Sequence, residues 1–131
     1  MNRLKVLIVE DSEDDLLLLL HALKNGGFES EYLCVENRED MLKALEDEQW
    51  QVVISDHAMP CFSAPEALET LKESGQELPF IIVSGTIEEK KAQEIIKAGA
   101  QSYITKENLS ALIPELERAI KKDPKNLHNN N

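Results

Sequence analysis

The stretch LKVLIVEDSEDDLLLLLHALKNGG, residues 4–27, holds the change of pattern on which the fold turns. Leu4 to Val9 is apolar except for Lys5, and a short run of this kind reads as a strand buried on both faces. Ser12 then opens a helix that runs to about Lys24. Leu16, Leu19, Leu20 and Leu23 recur at i, i+3, i+4 and i+7 and form one apolar stripe, and Asn25-Gly26-Gly27 stops the helix. Leu17 and Leu18 fall off the stripe and are expected at its margin or as isolated surface leucines. The run Leu16–Leu20 is far too short to span a bilayer.

Outward from this unit the same alternation repeats. Ser30 to Val35, Gln51 to Ser55, Pro79 to Val83 and Gln101 to Thr105 read as further strands. Between them lie amphipathic stretches. Arg38 to Glu48 carries a stripe of Met41, Leu42 and Leu45, and Met41 is expected in the core. A third helix follows Ser63, where Ser63 and Glu66 have capping-box spacing, and runs to Gly75. A fourth follows Thr86, with Glu89 three residues on, and ends near Gly99. The last spans roughly Ile113 to Lys122, with Pro114 in its first turn. Five βα units with apolar strands imply an α/β fold: a parallel sheet with helices on both faces. The natural candidate is a doubly wound, flavodoxin-like, five-stranded sheet of order 2-1-3-4-5. Residues 1–122 make one domain, and the Asn-rich stretch 123–131 is expected to be a frayed tail or linker.

The bulk composition narrows the function. The 131 residues are 42% hydrophobic, enough for a core, and carry a formal net charge of -11. A surface this acidic repels nucleic-acid phosphates and anionic membranes, so no direct nucleic-acid or membrane partner is expected. Cys34 and Cys61 have neither metal-type spacing nor a disulfide framework, and they read as reduced thiols of a cytoplasmic protein. No secretory signal pattern is present at Met1 to Lys5.

Ligands of an open parallel sheet sit beyond the carboxyl ends of its strands. There the first strand delivers Glu10 and Asp11, the third Asp56, the fourth Ser84 and the fifth Lys106. Each alone is ordinary, since an aspartate in a loop usually caps and a lysine before a helix is usually solvated. Their arrival from four strands at one edge is not ordinary. Converging carboxylates repel unless a cation intervenes, and hard oxygens with open water positions suit Mg²⁺. With Lys106 as a second positive charge and Ser84 as a donor, such a site can stabilise a phosphoryl group in transit, and a carboxylate can accept it as an acyl phosphate.

To about Lys122 the sequence resembles the receiver domains of two-component response regulators. The resemblance rests on Val9-Glu10-Asp11, Asp56-His57-Ala58-Met59-Pro60, Ile81-Ile82-Val83-Ser84-Gly85 and Tyr103-Ile104-Thr105-Lys106, in that order and spacing. It implies that Asp56 is the phosphoacceptor and that Mg²⁺ is held by Asp11, Asp56, Glu10 and the backbone carbonyl of Ala58. Ser84 takes the place of the family's switch hydroxyl, and Lys106 pairs with a phosphoryl oxygen. Tyr103 matches the aromatic that turns inward on activation. The implied donor is a phosphohistidine on a sensor histidine kinase or a histidine phosphotransfer protein, and the implied role is a signalling switch rather than an enzyme. The family often offers its first helix to the donor, which gives Leu17 and Leu18 a second reading as a docking patch.

Three positions depart from the common receiver pattern. Ala64 stands where glycine is frequent, Gly85 where alanine is usual, and Glu107 where proline follows the lysine. A cis bond before a non-proline is costly, so the Lys106–Glu107 bond is expected to be trans and the connection differently shaped. Ala58 and Thr86 offer no charge to orient a hydrolytic water, which implies a moderately long-lived phosphoryl form. His57 reads as a loop side chain, Trp50 as packing, and Phe62 as a side chain able to shield the site. A phosphorylation-independent adaptor is the alternative. A small-ligand enzyme on a flavodoxin-like sheet is disfavoured, because there is no glycine-rich phosphate loop and the acidic mouth is wrong for a free anionic cofactor.

Overall fold

In the computed structural model, which describes residues 2–57, 59–85 and 88–122, the short apolar runs become strands and the amphipathic stretches become helices. In chain order these are β1 (Asn2–Val9), α1 (Glu13–Asn25), β2 (Phe28–Val35), α2 (Arg38–Asp47), β3 (Val52–Asp56), α3 (Ala64–Glu73), β4 (Phe80–Ser84), α4 (Glu89–Lys97), β5 (Ser102–Thr105), a 3-10 segment (Lys106–Ala111) and α5 (Leu112–Lys122). The strands form one parallel sheet in the order β2-β1-β3-β4-β5, as the alternation implies.

Alternate strand residues feed two separate cores. Leu4, Val6 and Ile8 of β1, with Val52, Ile54, Ile81 and Val83, pack against Leu19 and Leu23 of α1 and Leu112 and Leu116 of α5. Leu7, Val9, Val53, Phe80 and Ile82 face the other way, onto Met41 and Leu45 of α2, Leu68 and Leu71 of α3 and Ile95 of α4. Strands sandwiched in this way need apolar residues on both faces, hence the mostly apolar runs of the central strands β1, β3 and β4. Each fully buried Val, Leu or Ile is worth about 1.5–3 kcal/mol relative to exposure. The α1 stripe behaves as its spacing requires. Leu19 and Leu23 are buried and Leu16 and Leu20 pack half-buried beside them, whereas Leu17 and Leu18 are more than half exposed.

Several local expectations shift. β1 and β2 each start two residues earlier than their apolar cores suggest, paired from Asn2 with Phe28 onward. α3 carries the expected capping box, with Ser63 Oγ accepting from the Glu66 backbone N–H and the Glu66 carboxylate accepting from the Ser63 N–H. The same pattern at the fourth helix does not form a box. Glu89 is the first helical residue rather than the third, and Glu88 stands at the cap without a side-chain capping hydrogen bond, its carboxylate paired instead with Lys91. Thr86 lies outside the described residues, as do Ala58 and the stretch 123–131. No cis peptide occurs among the described residues, so the Lys106–Glu107 bond is trans as expected, and the chain turns directly into the 3-10 segment, which the sequence reading did not foresee.

Phe62 does not shield the sheet edge. It is buried in the α2–α3–α4 core with Met59 and Ala64. Trp50 is packing, as expected, and its indole N–H donates to the Ala44 carbonyl at 2.9 Å. Both cysteines are free.

Candidate functional site

Parallel strands end together, so the residue after each apolar run arrives at one rim. Asp56 closes β3 in register with Val83, and Ser84 closes β4 in register with Thr105, the residue before Lys106. Glu10 and Asp11 continue β1 beyond Val9. Ligand oxygens of Glu10, Asp11 and Asp56 lie within 4.8 Å of one another. Glu10 and Asp56 are buried, and Asp11 is exposed at the mouth. The floor beneath is apolar, built from Ile8, Leu19, Ile54 and Val83. Charges above such a floor are weakly screened.

Lys106 reaches into this group from the start of the 3-10 segment. Its ammonium donates to Asp15 Oδ2 at 2.6 Å, to Glu10 Oε1 at 3.3 Å and to Asp56 Oδ2 at 3.4 Å. Burial works to lower its pKa, but the Asp15 hydrogen bond and the charges of Asp56, Glu10 and Asp15 outweigh burial and hold it above the usual lysine value. Lys106 is therefore a fixed positive charge.

Glu10 is the strained member. Burial, then the charge and hydrogen bond of the adjacent Asp56, push its carboxyl up from 4.5 to about 7, against the opposing pull of Lys106 and the Ser12 backbone N–H. Its Oε2 accepts from the N–H groups of Asp11 and Ser12 at 3.1 and 3.2 Å. One ammonium does not compensate this many carboxylates. The donor set is all oxygen, part buried and part open to solvent, which fits a hard divalent cation that keeps some of its water.

Among the expected residues, Glu10, Asp11, Asp56 and Lys106 come together. Ser84 is buried at the end of the neighbouring strand. The Ala58 carbonyl lies outside the described residues. Tyr103 is half-buried against the α2–α3–α4 core, its ring 5.9 Å from that of His57 at a 58° tilt. His57 Nδ1 is buried without a hydrogen-bond partner. The sequence reading missed Asp15. Its signal was the Ser12-x-x-Asp15 spacing, which suggests only a helix start. Ser12 Oγ does accept from the Asp15 N–H at 3.3 Å, but the Asp15 carboxylate is turned to Lys106. A larger groove of about 650 Å³ runs between α3 and α4, with His57 at one end and Leu68, Lys72, Lys91 and Ile95 along it. Glu69 and Glu94 also line it, but among the described residues only the acidic rim brings three carboxylates within 4.8 Å of one another.

The family model for the response regulator receiver domain matches residues 6–117. The chain belongs to this family. Among individual relatives, this receiver domain is 31% identical to the DNA-binding transcriptional regulator NtrC of Proteus hauseri over 98% of the chain and 28% of that protein. It is 27% identical to the sensory/regulatory protein RpfC of Xanthomonas campestris over 82% of the chain and 15% of that protein. The chain thus spans less than a third of the length of these relatives. In structure the receiver is similar to that of a Francisella response regulator, with a TM-score of 0.77, 21% identity and 91% and 98% of the two chains covered. It is also similar to the receiver domain of a sensor histidine kinase from Pseudomonas aeruginosa, with a TM-score of 0.74, 19% identity and 91% and 98% covered. That structure has a magnesium ion coordinated in its active-site cleft. No helix among the described residues is long and apolar enough to cross a membrane.

Proposed function

We propose that this receiver accepts a phosphoryl group on Asp56 with Mg²⁺ as cofactor and acts as a signalling switch rather than as an enzyme with a turned-over substrate. The observation that carries the reading is the meeting of Glu10, Asp11, Asp56 and Lys106 at one rim from three strand ends. Asp11, Asp56 and Glu10 would hold the ion, with the Ala58 carbonyl as a further ligand. When bound, Mg²⁺ supplies positive charge to the phosphoryl oxygens.

The chain's own residues supply the rest. An Asp56 carboxylate oxygen attacks phosphorus, an O–P bond forms, and the P–N bond of a phosphohistidine breaks. The imidazole leaves with the electron pair of that bond, and its freed nitrogen takes a proton from water. Lys106 supports the negative charge of the transferring group, and the Ser84 hydroxyl then bonds the bound phosphoryl group as the switch contact, with Tyr103 responding. The donor is a sensor histidine kinase or a histidine phosphotransfer protein, and the likeness to the receiver domain of a sensor histidine kinase supports this. The net charge of -11 supports protein partners over nucleic acid or membrane, and the two free thiols support a reducing compartment such as the cytoplasm. Residues 1–122 carry this function.

Intact-mass spectrometry after incubation with acetyl phosphate tests the reading. One added phosphoryl group that requires both Mg²⁺ and Asp56 is expected. An adduct that persists in Asp56→Asn would mean another nucleophile. No adduct and no Mg²⁺ binding would favour the phosphorylation-independent adaptor.

A further inference from the structure

The closest partner of Lys106 is not a residue of the proposed phosphorylation set. The 2.6 Å contact to Asp15 has the length of a full charge-assisted hydrogen bond, whereas the 3.3 and 3.4 Å contacts to Glu10 and Asp56 are stretched. Lys106 and Asp15 are both partly buried, so their attraction is only partly screened. The Asp15 main chain has a separate task, its N–H closing the first turn of α1 on Ser12 Oγ. The carboxylate itself is thus spare for Lys106.

We propose that Asp15 is a positioning residue that draws the Lys106 ammonium away from Glu10 and Asp56 and so leaves those carboxylates available to the metal. The inference rests on the Mg²⁺ reading above. Without Asp15, the nearest anions to the ammonium are Glu10 and Asp56, and Lys106 closes on them in direct competition with a divalent cation. Asp15 therefore sets how tightly the acidic rim binds its ion, although it is not itself a ligand. The same contact sets how far the ammonium must move to meet a phosphoryl group on Asp56.

Calorimetric titration of the whole chain with Mg²⁺, without any phosphoryl donor, tests this. Asp15→Asn should weaken Mg²⁺ binding by roughly threefold to tenfold, the scale of one partly screened charge moved by a few ångströms. Lys106→Met should bind Mg²⁺ more tightly than the wild type. Adding Asp15→Asn to Lys106→Met should change affinity by less than about twofold, because the residue through which Asp15 acts is gone. Asp15→Glu, which keeps the charge, should stay within about twofold of the wild type. An unchanged affinity in Asp15→Asn overturns the proposal. So does an equal loss with and without Lys106, which would make Asp15 a mere background charge, or a failure of Asp15→Glu to preserve binding. A wild type that takes up no Mg²⁺ overturns both this proposal and the metal assignment beneath it, whereas normal wild-type binding with an inert Asp15 overturns this proposal alone.

Discussion

Glu10 shows how much one residue's meaning depends on its surroundings. In the sequence it is half of an acidic pair after a strand. In the fold it is buried beside Asp56, and its carboxyl is pushed up to about 7. A carboxyl whose folded value exceeds its unfolded value binds its proton more tightly when folded. Its favourable contribution is complete below about pH 4.5 and is lost as pH rises through about 7. In chelator, the Glu10→Gln variant should therefore match the wild type near pH 4 and exceed it by about 3 kcal/mol near pH 8. Urea unfolding at both pH values reads this difference, and equal stabilities at pH 8 would show that Glu10 ionises without penalty. Asp15 makes the complementary point. Locally it differs from Glu13 and Asp14 in giving its N–H to the Ser12 cap and in being less exposed. Only the Lys106 ammonium, 91 positions away, gives its carboxylate a partner at the rim.

Two elements of similar spelling take different starts. Ser63-x-x-Glu66 and Thr86-x-x-Glu89 have the same capping spacing, yet only the first becomes a box, because α3 begins directly after Ser63 while α4 begins at Glu89. Ser63→Ala should lower stability by about 1 kcal/mol without altering the fold, measured as a shift in the urea midpoint. A change within experimental scatter would mean that Glu66 caps alone. The helix stop after α1 divides its labour similarly. Gly27 has φ of +90°, a backbone that favours glycine, whereas a side chain at Gly26 would run into Ile113 of α5. The connection after β5 shows the effect of Glu107. With no proline after Lys106, the chain enters a 3-10 turn with a trans bond, and that turn presents the ammonium to α1 as well as to the acidic rim.

For the molecule as a whole, two cores hold a sheet whose one rim gathers the negative charge. A cation at that rim should stabilise the entire domain by mass action. Mg²⁺ at a hundred times its dissociation constant should add about 2.7 kcal/mol, seen as a rise of several degrees in Tm. Asp11→Asn should lose most of that rise, and a wild-type Tm indifferent to Mg²⁺ would count against the metal reading. The alternation of apolar runs and amphipathic stretches by itself determined the βα order, a parallel sheet for which 2-1-3-4-5 was the natural candidate order, and which strand ends deliver Glu10, Asp11, Asp56, Ser84 and Lys106, because periodicity and strand parity are properties of near neighbours along the chain. Tertiary structure alone decided that Phe62 is buried in the core, that Glu10 is the carboxyl driven toward neutrality, and that Asp15 holds Lys106. Those outcomes depend on distances between groups far apart in sequence, and Coulomb energy and desolvation act through such distances.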